Sequence, residues 1–409
     1  MKWVSALSTH PSLESALREV VEQAQAELAD PADLAIVFIS SAFGSEYSRV
    51  MPLLDSLLSV NTILGCSGGG VIGNLQGATE EIEGNAGVCL CLASLPDVQV
   101  HAFHLTAEQL PDLDGSPDEW IRLIGVAPDQ QPHFILLSDP FSSDINNLLQ
   151  GLDYAYPQSV KVGGLAGASS FSGRGGLFCH HDLFREGTVG VALSGNIMIE
   201  TIVAQGCRPI GQPYQVTKGE RNIVLQVAEE MDSTTNCATP ETPLEALQRL
   251  LKTLSDEDRS LAQSSLFVGI AQNEFKLKLE PGDFLVRNLL GVDPKAGAIA
   301  IGDRVRPGQR IQFHLRDAQT SADELEFLLK QFQQRPSLQN HSAGALMFSC
   351  LGRGEGLYGK PNVDSQLFHQ YLNLIPLSGF FCNGEIGPVG DTTFLHGYTS
   401  VFGICRALH

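Results

Sequence analysis

The feature that most constrains this chain is an apolar run that breaks into a turn crowded with glycine: Pro376-Leu377-Ser378-Gly379-Phe380-Phe381-Cys382-Asn383-Gly384-Glu385-Ile386-Gly387-Pro388. Glycine lets the backbone take positive φ, or lets another group come close. This turn also sets a thiol, an amide and a carboxylate side by side. The pattern occurs twice upstream. Residues 34–39 form a short, continuous, β-branched run that reads as a buried strand. A helix follows over 47–58, then a strand at 62–64 that runs into Gly65-Cys66-Ser67-Gly68-Gly69-Gly70, and a strand over 86–92. The same order recurs with a strand at 134–138, a helix at 144–152, a strand at 160–162, the turn Gly163-Gly164-Leu165-Ala166-Gly167-Ala168-Ser169 and a strand at 187–193. It recurs again with a strand at 345–349, a helix at 365–374, the opening stretch and a strand at 397–404. Each unit reads strand, helix, strand, glycine turn, strand. Each first strand carries a serine at its end, Ser40, Ser138 or Ser349.

A weaker fourth copy is read from 266–271 through 298–303 to 311–314, with helical patterns over 242–254 before it and 322–332 after it. Four units in two pairs predict an α/β fold of mixed sheets with helices, organised as two related domains. Their junction falls at 205–213, where Gly206, Pro209, Gly211 and Pro213 cluster, so the domains are read as 1–208 and 209–409. A length of 409 residues agrees with two cores. The period is too long and irregular for a solenoid.

Charge narrows the partners. Lys and Arg number 26 against 46 Asp and Glu, a formal charge of -20, so nucleic acid and anionic membranes are not expected to bind. No apolar run approaches the roughly 18 residues of a membrane span, and Ser8, Thr9, His10 and Pro11 interrupt any signal-like start. Nine cysteines, mostly in apolar runs and with no Cys-x-x-Cys, read as reduced thiols of a cytoplasmic protein.

Several motifs fail their context. Gly65-Cys66-Ser67-Gly68-Gly69 satisfies Gly-x-Ser-x-Gly, but a hydrolase elbow needs a helix after the serine, and 71–83 is a poor helix. Gly68-Gly69-Gly70-Val71-Ile72-Gly73 fails as a dinucleotide fingerprint for the same reason. In Gly354-Glu355-Gly356-Leu357-Tyr358-Gly359-Lys360-Pro361, proline replaces the hydroxyl residue of a phosphate loop. His180-His181-Asp182 and His101-x-x-His104 read as solvated or packing histidines, so no metal and no cofactor are expected.

With those residues in view, the chain resembles the FIST family, with an N-terminal and a C-terminal FIST domain over nearly its whole length. The resemblance rests on Ile63 to Gly73, Gly282 to Asp293, Gly302 to Gln309, Phe313 to Ala318 and Gly379 to Pro388. It implies a sensory protein that binds a small ligand, an amino acid or similar carboxylate metabolite, and passes the signal to a downstream protein. No kinase, cyclase or methyl-accepting segment fits outside the two domains, and no F-box precedes them, so a stand-alone form is expected.

The ligand site is placed on the repeated turns. Consecutive amides in such turns form nests for anions, giving Cys66, Ser67, Gly68, Gly69, Gly164, Cys382, Asn383 and Gly384 as candidates. Arg287 and Arg353 would supply charge, Glu385 would take a ligand amine, and Cys350 lies on the same strand end. The competing structural reading is that the glycines only permit close strand crossing, and that Arg287 and its neighbours pair with Asp293, Asp303 or Asp317. Two other functional readings stand beside the sensor: an interaction scaffold, and a hydrolase using Ser67 or Cys66 with His396 as base.

Overall fold

The structure is a computed structural model that describes all residues except 168–174, 231–238, 274–275, 280–281, 336–341, 374 and 409. Strands and helices are numbered in chain order. Two compact units share the chain, Met1–Ala204 with Leu325–His409, and Gln205–Glu324.

The first unit contains three six-stranded sheets built to one plan. In the first sheet the order is β1 (Lys2–Ser8), β6 (Val88–Ser94), β2 (Leu34–Ser40), β3 (Thr62–Gly68), β10 (Leu177–Cys179) and β11 (Asp182–Phe184). The second runs β7 (Val98–Leu105), β12 (Thr188–Gly195), β8 (His133–Ser138), β9 (Lys161–Leu165), β22 (Glu385–Val389) and β23 (Thr392–His396). The third runs β13 (Met198–Ala204), β24 (Ser400–Arg406), β20 (Ser342–Cys350), β21 (Leu377–Cys382), β4 (Gly70–Leu75) and β5 (Ala78–Glu83). Each sheet has one parallel pair at its centre: β2 with β3, β8 with β9, and β20 with β21. Each is completed by a hairpin from a different part of the chain. The hairpin that follows β3 joins the third sheet, the one after β9 joins the first, and the one after β21 joins the second. The exchange is cyclic, so no sheet is complete without another repeat.

Alternation along each strand gives every sheet an inner and an outer face. Phe38, Cys66, Ile135, Val162, Phe348, Phe380 and Cys382, drawn from all three sheets, meet in one central core. Phe380 stacks on Phe38 at 5.0 Å and meets Phe348 edge-on at 5.9 Å. Helices α1 (Leu13–Leu28) and α2 (Tyr47–Leu57) cover the outer face of the first sheet. Helices α3 (Pro117–Ile124) and α4 (Ile145–Ala155) cover the second. The third is covered by α9 (Val363–Tyr371) and by α7 (Ala318–Gln333), which carries the chain back into this unit. The apolar spacing of α1, with Leu13, Ala16, Leu17, Val20, Val21, Ala24 and Leu28 all buried, is the one read from the sequence.

The second unit is a closed barrel, β14 (Arg208–Glu220), β15 (Ile223–Glu229), β18 (Ala298–Ile301), β17 (Phe284–Asp293), β16 (Leu266–Ala271) and β19 (Arg310–Leu315). Helices α5 (Pro243–Thr253) and α6 (Asp256–Leu261) belong to it. This corrects the expected fourth copy: 266–314 supplies barrel strands with no parallel pair, because β16, β17, β18 and β19 all pair antiparallel. The division at 208 and 209 also differs from the compact units. The first junction falls at 204 and 205, but residues 325–409 return to the first unit, since β20, β21 and β24 need the β4–β5 hairpin to complete their sheet.

Register corrects one further reading. In the antiparallel pairs Ser138 faces Thr188 and Ser349 faces Ser400, but the residue facing Val88 is Ile39, one before Ser40. The serines of the second and third units are equivalent, and Ser40 is offset by one.

Candidate functional site

The three glycine turns lie where the chain crosses from one sheet to the next, and they bond to one another. Ser67 is the last residue but one of β3, so it lies in a strand rather than in the turn. Its hydroxyl donates to the Gly167 carbonyl at 2.8 Å and accepts from the Gly176 amide at 2.9 Å, while the Gly167 amide donates to the Ser67 carbonyl at 2.9 Å. The Gly69 amide donates to the Phe381 carbonyl at 2.9 Å, and the Asn383 amide donates to the Leu165 carbonyl at 3.1 Å. Leu165 in turn donates to Gly384, and the Asn383 side chain reaches the Ala166 carbonyl at 3.3 Å. The ring closes through all three repeats. A Cβ on Gly167 would lie 2.5 Å from the Gly69 nitrogen, which no side chain tolerates. Ala168 and Ser169 of the second turn lie outside the described residues.

The amides of Gly69, Gly167 and Asn383 are thus spent within the ring, and the Ser67 amide donates to the Gly176 carbonyl at 2.8 Å, so these four are not held open as a nest. Gly68 and Gly164 are buried, and Gly164 packs against Cys382. Cys66 sits in the central core, and burial holds its thiol well above the ordinary range. The elbow geometry is not present at Ser67, because strand β3 leads into strand β4, and the Ser67 hydroxyl meets Tyr47, Gly167 and Gly176. The ring nitrogen Nε2 of His396 is bonded to the Gly387 carbonyl at 3.0 Å.

The third repeat holds a buried polar cluster built around Glu385. Glu385 begins β22, is fully buried, and accepts from the Thr399 amide at 2.9 Å. Its other oxygen meets the Cys382 thiol at 3.5 Å, and the carboxyl also bonds the Cys350 thiol. Burial raises its pKa to about 8, against the Thr399 amide, the two thiols and the nearby Arg353 charge, which pull it down. Cys382 is fully buried and pushed well up, by burial and then by the Glu385 charge. Cys350 is half-buried and pushed up to about 12 for the same two reasons.

Arg353 is fully buried, yet it is not an open ligand clamp. Its guanidinium forks onto Asp364 at 2.7 and 2.9 Å and donates to the Tyr358 hydroxyl at 2.6 Å. Asp364 and Tyr358 were not singled out from the sequence, though an acid eleven residues after the arginine, at the start of a helix, was the available signal. Glu81, from the exchanged β4–β5 hairpin, accepts from the Ser365 amide at 2.8 Å and so caps α9. Its pKa is raised to about 7, first by burial and then by the Asp364 charge. Ser349 and Ser400 face one another fully buried, and neither hydroxyl has a hydrogen-bond partner among the described residues.

Arg287 belongs to the barrel, in β17, and pairs with Asp303 at 2.8 Å. Arg310, nearby in sequence, pairs with Glu230 at 2.6 Å. The structure therefore gathers Cys350, Arg353, Cys382, Asn383, Gly384 and Glu385 around one strand end and places Arg287 in the other unit. A cleft of about 570 Å³ between the β4–β5 hairpin and α9, lined by Asn74, Thr79, Glu80, Gln366 and His369, includes none of these residues. No described helix is long and apolar enough to cross a membrane, and no described group of three or more His, Cys, Asp or Glu is arranged to hold a metal.

These features define a mixed α/β protein with a buried cluster of ionisable groups, Glu385, Cys350, Cys382, Arg353 and Asp364, in its third repeat. The FIST N domain model matches residues 33–230 and the FIST C domain model residues 243–388, and the chain belongs to the FIST family, whose domains are sensory domains of signal transduction. Each matched segment runs from the three-sheet unit into the barrel or out of it. An uncharacterized protein of Mycobacterium tuberculosis is 31% identical over 398 residues, covering 96% of this chain and 97% of its own length. An uncharacterized protein of Mycobacterium bovis is 31% identical over 393 residues, covering 96% and 95%. F-box only protein 22 of Homo sapiens is 32% identical over 84 residues, 17% of this chain and 21% of its own length.

Proposed function

We propose that this protein is a non-enzymatic sensor of a small metabolite bearing an amine, an amino acid or a relative, taken up at the strand end formed by Cys350, Asn383 and Glu385. The observation that carries the reading is the Glu385 carboxyl: it is buried, its bonding shell is two thiols and one amide, and Cys350 beside it reaches the surface. An ammonium group arriving past Cys350 would convert a carboxyl held near 8 into a paired carboxylate. Asn383, exposed on the same turn, offers an amide to the polar end of the ligand. A ligand carboxylate has weaker support, because Arg353 is already matched by Asp364. The output passes to a downstream signalling protein, in the cytoplasm, where its free thiols would stay reduced.

Thermal stability against a panel of amino acids, simple amines, other carboxylic acids and nucleotides tests this. A ligand at a hundredfold excess over Kd stabilises by about 2.7 kcal/mol. Amino acids or amines should raise the melting temperature, and Asn383→Ala or Glu385→Gln should remove the effect. No shift with any class would overturn the sensor reading and leave the interaction scaffold, tested by co-purification. The hydrolase reading has a separate test: ester turnover that disappears in Ser67→Ala would favour it.

A further inference from the structure

Cys350 ends β20 and Cys382 ends β21, and the two are direct partners in the parallel register. Neighbouring strands lie about 4.7–4.9 Å apart, inside the roughly 4.4–6.8 Å that the Cα atoms of a disulfide span. Residues paired in this way point to one face, and here both thiols bond the same carboxyl, that of Glu385. Cys350 is a partly exposed residue and Cys382 a buried one, the arrangement of an attacking and a resolving cysteine. We propose that Cys350 and Cys382 are a redox-active dithiol, which a hydroperoxide oxidises to an intramolecular disulfide with Glu385 relaying the protons.

The chemistry balances without any further reactant. Cys350 passes its proton to the Glu385 carboxylate, and its sulfur attacks one oxygen of the peroxide. A sulfur–oxygen bond forms, the oxygen–oxygen bond breaks, and the departing oxygen takes the proton back from Glu385. Cys350 is left as a sulfenic acid, with one water released from hydrogen peroxide. Cys382 then gives its proton to Glu385 and attacks the Cys350 sulfur. The sulfur–sulfur bond forms, the sulfur–oxygen bond breaks, and hydroxide leaves as water with that proton. Two thiols and one hydrogen peroxide become one disulfide and two waters.

Burial disfavours both thiolates, so the reaction is slow at neutral pH and quickens as Glu385 ionises. The groups facing Glu385 are Cys350, Cys382, Arg353 with its partner Asp364, and His396, its partner across the β22–β23 pair. The molecule contains its own control. Cys89, Cys91 and Cys405 neighbour one another in the central core, all fully buried, and no carboxylate is among the groups that shift them. Such thiols are inert.

The test treats the reduced full-length protein with hydrogen peroxide in the absence of any metabolite, so its outcome is independent of the sensor reading. The chain is then alkylated under denaturing conditions, digested and analysed by mass spectrometry. A Cys350–Cys382 cross-linked peptide that dithiothreitol removes is expected, with Cys89, Cys91 and Cys405 fully alkylated. Cys382→Ser should stop at a Cys350 sulfenic acid that dimedone captures. Glu385→Gln, its fold checked by near-ultraviolet circular dichroism, should cross-link on the order of a hundredfold more slowly and lose the rise in rate with pH. Recovery of both cysteines as alkylated thiols, oxidation of Cys350 with no cross-link in the wild type, or an unchanged rate in folded Glu385→Gln would each overturn the proposal.

Discussion

The first and third sheets share a strand plan, and what fills it differs. Gly65 and Gly379 each press against a carbonyl of the neighbouring parallel strand, Val37 in one case and Met347 in the other. Six residues on from each stand Val71 and Glu385, both fully buried. At the strand ends Ile39 faces Val88 in the first sheet, while Ser349 faces Ser400 in the third. The outer face of the first is closed by the apolar side chains of α1 and α2; the third has a like apolar cover from α7 and α9 and, in addition, the buried Arg353–Asp364 pair, whose Asp364 lies on α9. One framework thus tolerates an apolar or a polar filling at matched places. Burying polar groups without full pairing costs stability, so the third repeat holds its polar cluster at a cost the first does not carry.

The comparison can be broken most severely at Arg353. Arg353→Ala leaves Asp364 buried and unpaired and should cost about 3–5 kcal/mol, read as a lower urea midpoint, with no counterpart at the first sheet's apolar contacts. The shared framework itself is probed by Gly379→Ala, whose Cβ collides with the Met347 carbonyl. A loss of about 3 kcal/mol is expected there, and a mild effect would show that the strand crossing is looser than drawn. Glu385 comes next. Its folded pKa of about 8 lies above its ordinary 4.5, so the folded state holds the proton more tightly. That contribution is complete below about pH 4.5 and is lost as pH rises to about 8. Glu385→Gln should therefore become more stable relative to the wild type between pH 5 and pH 9, by on the order of 4 kcal/mol, measured by denaturation at both values.

The smallest effect is the sharpest contrast. Ser138 bonds Thr188 at 2.8 Å, so Ser138→Ala should cost about 1 kcal/mol. Ser349 has no such partner among the described residues, and Ser349→Ala should be neutral within about 0.5 kcal/mol. Equal losses at the two positions would mean that Ser349 and Ser400 are satisfied in solution and that the third repeat is no more strained than the second.

Much of this was legible in the residues. Buried strands such as β2 and amphipathic helices such as α1 announce themselves because burial imposes a period on the side chains. The glycine turns were legible because close crossing excludes a Cβ. The FIST resemblance, too, rests on contiguous motifs. What a single sequence hides is partnership across distance. Whether Arg353 is free to grip a ligand depends on Asp364 folding back onto it, and whether the Ser67 amide is open depends on Gly176, 109 residues away. The fourth unit differs from its expected form because a buried barrel strand and a buried sheet strand carry the same apolar pattern, and only pairing tells them apart. Periodicity and contiguous motifs thus carry the elements, the turns and the family. The tertiary structure alone decided the cyclic exchange of hairpins, the return of residues 325–409 to the first unit, and the meeting of Glu385 with two cysteines. Local periodicity encodes which face is buried, whereas long-range hydrogen bonding and register decide what each buried face meets.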